Sequence, residues 1–125
     1  MNLVFDAGAL IALERNDRVM WRRWYDAIEA GKPPICHGGI VAQVWRGGAR
    51  QARLSRALAS LYIRPLDAAL GRAAGELLAR AKQHDVIDAA LVLLAQDGDR
   101  IITSDPDDLA PLARAADLDV ELVRP

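Results

Sequence analysis

Leu3-Val4-Phe5-Asp6-Ala7-Gly8-Ala9-Leu10-Ile11-Ala12-Leu13 stands close to the start of the chain, and its reading decides the fold. Three consecutive apolar residues fit a short strand buried on both faces, as in a parallel sheet. The strand, Asn2–Phe5, closes on a carboxylate, and Ala7–Glu14 then reads as a short helix. A buried carboxylate without a partner is costly, so Asp6 demands one.

The same alternation continues to the last residues. Asn16 or Asp17 caps a second helix whose apolar residues Met20, Trp24 and Ile28 fall at helical spacing, with Gly31 to end it. Short strands are expected at Ile35-Cys36, Tyr62-Ile63, Arg100–Thr103 and Val120–Val123. Helices are expected over Ile40–Trp45, Ala49–Leu61, from Asp67 to Gln83, from Asp85 to Ala95, and from Asp105, with Pro106 at its first position. Gly47-Gly48 breaks the chain between two of them, and Asp97-Gly98 makes a turn. Strands alternating with helices predict an α/β domain with a mostly parallel sheet. With 125 residues and no internal repeat or linker, residues 1–125 read as a single domain.

Composition narrows the class. Apolar residues make up 52% and charged residues 26%, which fits a globular chain rather than a disordered one. The one cysteine, Cys36, excludes an intrachain disulfide and a multi-cysteine zinc site, and reads as a buried apolar residue. The longest apolar runs, such as Ala89–Ala95, fall far short of the ~20 residues that span a bilayer. No basic segment precedes the first apolar stretch, so neither a signal peptide nor a membrane is expected, and a reducing cytoplasm suits the cysteine usage. The net charge of −1 hides an asymmetry. Residues 44–80 carry seven arginines against Asp67 and Glu76, whereas residues 85–125 carry ten acids against three arginines. Two surfaces with different partners would produce this pattern, and so would ordinary solvated helix faces.

In a parallel sheet the strand C-termini and the following helix N-termini share one edge, where ligands bind. Asp6 ends the first strand, Asp105 follows the strand Arg100–Thr103, and Asp88 lies in the first turn of the helix opened by Asp85. Gathered carboxylates repel unless a cation neutralises them, and Mg²⁺ or Mn²⁺ prefers oxygen ligands. Phosphodiester hydrolysis is the chemistry such a constellation serves. Taken singly, Asp85 and Asp105 also read as helix N-caps.

The chain resembles the PIN-domain family, in particular the VapC-like ribonuclease toxins of toxin–antitoxin pairs. The resemblance rests on Leu3–Leu13, Val41-Ala42-Gln43-Val44-Trp45-Arg46, Asp88-Ala89-Ala90-Leu91-Val92-Leu93-Leu94-Ala95 and Ile102-Thr103-Ser104-Asp105, in that order. It implies a three-layer domain with a parallel sheet between helices, an acidic Mg²⁺ or Mn²⁺ pocket, and single-stranded RNA as substrate. It further implies an endoribonuclease, a small antitoxin partner and a homodimer. The family's metal roles carry over to Asp6, Asp88 and Asp105, and Thr103 matches the hydroxyl residue that precedes the last acid. Two departures stand out: Gln43 replaces the usual glutamate, and Ala7 and Gly8 replace the hydroxyl residue after the first acid. Asp108 is the preferred accessory ligand, with Asp85 nearby.

Arg46, Arg50 and Arg53 are the candidate RNA contacts, since the arginine fork suits phosphates. His37 reads as a surface-loop residue and His84 as exposed. Trp21 and Trp24 read as core or dimer contacts, and Trp45, beside Arg46, as core packing ahead of stacking on a base. Two other functions remain open: a PIN-fold binding module that has lost turnover through Gln43, and a phosphoryl-transfer domain with Asp6 as nucleophile. The latter lacks a strand-ending lysine, because Lys32 and Lys82 are the only lysines.

Overall fold

The structure is a computed structural model that describes all 125 residues. Its strands are β1 (Leu3–Phe5), β2 (Ile35–His37), β3 (Tyr62–Arg64), β4 (Arg100–Ile102) and β5 (Glu121–Val123). Its helices are α1 (Ala7–Glu14), α2 (Arg18–Glu29), α3 (Gly38–Val44), α4 (Ala52–Leu58), α5 (Ala68–Ala81), α6 (Val86–Val92) and α7 (Pro106–Ala115). The strands form one sheet in the order β3-β2-β1-β4-β5. Every pairing is parallel, so the sheet is wholly rather than mostly parallel.

This order follows from helical crossovers between parallel strands. The chain steps outward from β1 to β2 and β3, then jumps to β4 on the other side of β1 and steps outward again to β5. The strand order therefore reverses at β1, and the crevice beyond its C-terminal end is the expected binding place. All of β1 is buried, and Val4, Phe5, Ile101 and Ile102 lie at the centre of a continuous apolar core. Helix α1 is too apolar to be amphipathic and buries Ala9, Leu10 and Leu13, whereas α2 fully buries only Met20. Trp21 and Trp24 are half-buried against the core as an edge-to-face pair 5.0 Å apart, with the Trp21 indole N–H donated to the Leu13 carbonyl. No helix is long and apolar enough to cross a membrane.

Several expectations need correction. The segment expected as one helix over 49–61 starts with a 3-10 turn, Ala49–Gln51, and α4 ends at Leu58. The cause is Gln51. Its side-chain oxygen accepts the Arg46 and Gly47 N–H groups, and its amide donates to the Val44 carbonyl. This buried amide closes α3 and holds the turn in which Gly47 and Gly48 take positive φ. The backbone becomes extended at Trp45, which turns its ring outward, 39% exposed, instead of packing in the core. His37 is no surface-loop residue: it ends β2 and is fully buried. Helix α5 stops at Ala81, where Lys82 turns left-handed, and α6 stops at Val92. His84 is exposed and Cys36 is buried, as expected. Burial pushes the Cys36 thiol up to about 12, so it stays protonated and inert.

The approach of α1 to the β4–α7 loop requires Gly8. A Cβ at this position would overlap the Ser104 hydroxyl and stand 3.0 Å from Ser104 Cβ. Gly8→Ala is expected to destabilise the protein even though alanine gains ~1 kcal/mol in helix propensity. Combining it with Ser104→Gly should recover much of the loss, with a coupling of ~1 kcal/mol in a urea double-mutant cycle. Zero coupling would mean that this contact does not limit the packing.

Candidate active site: an acidic cleft at the sheet edge

Asp6 is the hinge of the site. It is buried, and both carboxylate oxygens are engaged by backbone donors. Oδ1 accepts the Ala9 N–H at 3.0 Å, which caps α1, and Oδ2 accepts the Ser104 N–H at 3.2 Å, which ties in the loop after β4. The partner that the buried acid demanded is thus the backbone of two segments, one of them 98 residues away from Asp6 along the chain.

A cleft of about 500 Å³ opens beside it, lined by Asp6, Gly8, Ile11, Ile40, Gln43, Val44, Arg46, Asp85, Asp88, Asp105 and Asp108, with Ala7. The topology therefore brings together all four carboxylates expected as metal ligands, together with Asp85 and Gln43. Asp107, another acid close to this edge in the sequence, is exposed and is not part of the lining. Asp85 is also a true helix cap, accepting the Asp88 N–H at 3.0 Å. Asp105 is different. It occupies the N-cap position of α7, yet its side chain makes no capping bond. Its backbone N–H is instead held by Thr103 Oγ1 at 2.9 Å, so the buried threonine orients the turn and the exposed carboxylate stays free to face the cleft.

Electrostatics single out Asp88. Its carboxyl is pushed up from 3.8 to about 6, first by burial and then by the negative charges of Asp85, Asp108, Asp6 and Asp105. No cation answers this charge. The protein's ion pairs are Arg22–Asp26 and Arg100–Glu121, both elsewhere. Arg46 stands at the rim, but its guanidinium folds back onto the Ala42 and Trp45 carbonyls. Arg50 and Arg53 are exposed and lie outside the cleft lining.

The all-oxygen donors suit a hard divalent cation. The geometry sets a limit, however: no three His, Cys, Asp or Glu side chains group as a direct ligand set. The residues thus fit an ion that keeps much of its own water, as Mg²⁺ does. Sequence reasoning missed three parts of this site: the Ser104 N–H, the close approach at Gly8, and His37. None of the three left a local signal, since histidine is not among the usual N-cap residues.

No family model and no curated protein matches the chain. Among solved structures, it is similar to a chain of VapBC2 from Rickettsia felis, determined bound to a DNA fragment from their promoter. The TM-score is 0.67 with 13% identity, over 98% of each chain. At that identity the likeness speaks for the fold, and the chain has a PIN-like α/β fold with an all-parallel five-stranded sheet between helices.

Proposed function

We propose that the protein is a divalent-cation-dependent endoribonuclease that cuts single-stranded RNA, the toxin of a toxin–antitoxin pair. The observation that carries this reading is the cleft itself: five carboxylates on one sheet edge, none ion-paired to a protein cation, with the Asp88 carboxyl raised to about 6 first by burial and then by its acidic neighbours. Asp6, Asp88, Asp105 and Asp108 would hold Mg²⁺ or Mn²⁺, which when bound supplies charge stabilisation at phosphorus and a more acidic water. Asp85 and Thr103 position the acids. Gln43 offers a neutral carbonyl oxygen, and Arg46, at the rim, would receive a neighbouring phosphate. Arg50 and Arg53 would extend that contact along the strand. The antitoxin partner rests on the family resemblance and on the VapBC2 likeness, the homodimer on the resemblance alone, and the cytoplasmic setting on the cysteine usage.

A second reading, a binding module without turnover, draws on Gln43 and on the lack of three grouped ligands. RNA cleavage by the purified protein separates the two. Activity with Mn²⁺, its loss in EDTA, and its loss in Asp6→Asn, Asp88→Asn and Asp105→Asn support the enzyme. Full cleavage in EDTA would exclude it.

Two further outcomes are expected. The folded state binds the Asp88 proton more tightly than the unfolded chain. The protonated form's contribution is therefore present below pH 3.8 and is lost as pH rises through about 6. Asp88→Asn should then raise stability at pH 7 in EDTA by ~1 kcal/mol, allowing for solvent screening of a half-exposed group. The gain should vanish near pH 3.5, and thermal melts at the two pH values would detect it; an equal gain at both would rule out charge repulsion.

Gln43→Glu adds the anionic oxygen that the family pattern expects. It should tighten Mn²⁺ binding by about tenfold or more in calorimetric titration, and lower the metal concentration needed for cleavage. Unchanged affinity would mean that residue 43 does not address the ion.

A further inference from the structure

Residues of α1, α3, α6 and α7 line the cleft, and α3 and α6 form two of its walls. Gln43 stands on α3 and Asp88 on α6, and each helix has only seven residues. Helices this short have no independent stability, so packing against neighbours sets their positions. One buried side chain bridges them. His37 Nδ1 accepts the Gly39 N–H at 3.0 Å and so caps α3, while Nε2 lies 3.0 Å from the Ile87 carbonyl of α6. Because Nδ1 is the acceptor, Nε2 carries the proton and donates it. Burial also pushes the imidazole below its usual range, which keeps it in this neutral form.

The Ile87 carbonyl belongs to the peptide unit whose N–H is that of Asp88. That N–H is donated to Asp85 Oδ1 at 3.0 Å. The peptide plane that delivers Asp88 to the cleft is therefore held at both polar ends, by a carboxylate on one side and the imidazole on the other. The seam has no slack. A Cβ on Gly39 would stand 2.6 Å from Ile87 Cδ1 and 2.9 Å from His37 Cε1.

We propose that His37 is a positioning residue for Asp88, locking the first turn of α6 to the start of α3 so that these two walls of the acidic cleft keep one spacing. His37 touches neither substrate nor ion. It acts through the Ile87–Asp88 peptide, and its relevance to cation binding rests on the function proposed above.

Two substitutions divide its bonds. His37→Asn retains an acceptor for the Gly39 N–H but is too short to reach Ile87. His37→Gln places an amide N–H where Nε2 stands and restores the tether. In Mn²⁺ calorimetry, Asn should weaken binding at least tenfold, whereas Gln should stay within about threefold of the natural protein. Gly39→Ala keeps the histidine but pushes on both Ile87 and the imidazole ring, and it too should weaken binding, so the inference is testable even if a His37 variant fails to fold. Amide hydrogen exchange supplies a readout without metal: the Asp88 N–H should exchange at least tenfold faster in Asn than in Gln, relative to the core amides of β1. Natural Mn²⁺ affinity in His37→Asn, equal losses in Asn and Gln, or natural affinity in Gly39→Ala would each overturn the proposal. If the natural protein binds no Mn²⁺, the nuclease reading fails, and the exchange rates alone decide the role of His37.

Discussion

The carboxylate of Asp6 is the interaction on which the rest of this edge depends. One oxygen starts α1 by taking the Ala9 N–H, and the other takes the Ser104 N–H from the loop after β4. The first oxygen fixes where the chain turns from strand to helix. The second fixes how far that turn sits from the neighbouring strand's exit, and thereby where Asp105 emerges. Both bonds are charge-assisted, the stronger class of hydrogen bond. They also explain why a buried acid is tolerated at the end of the most buried strand, since its charge is met by two backbone dipoles.

The other acids are positioned by smaller devices of the same kind. Asp85 holds the Asp88 N–H, Thr103 holds the Asp105 N–H, and Gln51 holds the turn that carries Arg46. Each device is a side chain bonded to backbone two to five residues away, so each small segment is set locally. What these segments do together is unfavourable by itself. The carboxylates line one cleft without an ion-paired counter-charge, and Asp88 carries a raised pKa, first from its own burial and then from the neighbouring acids. Structural economy would have placed an arginine there. Arg46 is within the same cleft yet bonds to carbonyls instead, which leaves the negative field open to an outside cation.

Much of this was legible in the sequence. Short apolar runs alternating with capped helical stretches gave the α/β class, because buried parallel strands cannot be polar and helices announce their starts with Asp and Pro. Asp17, Asp67 and Asp85 cap the helices where the pattern put them. Asp105 shows the limit of such reading. The same Asp-Pro pair that signals a cap leaves the carboxylate uncapping: the Asp108 N–H goes to the Asp105 carbonyl, and Thr103 Oγ1 accepts the N–H of Asp105 itself. Trp45 and His37 show it again. A large aromatic after an apolar helix suggested the core, and a histidine before two glycines suggested a loop. Their fates depended on Gln51 bending the chain outward and on Ile87 lying above β2.

The sequence by itself therefore determined the fold class, the helix starts and the identity of the acids that could share an edge, since these follow from local period and from the rule that parallel strands present their C-termini together. Tertiary structure alone decided the rest. Sheet order put β1 at the reversal point, so Asp6, Asp88 and Asp105 meet across long sequence separations. Contacts between distant segments turned His37 inward and Trp45 outward. No local pattern encodes these outcomes, because a side chain's burial and its pKa depend on what other elements bring to it rather than on its neighbours along the chain.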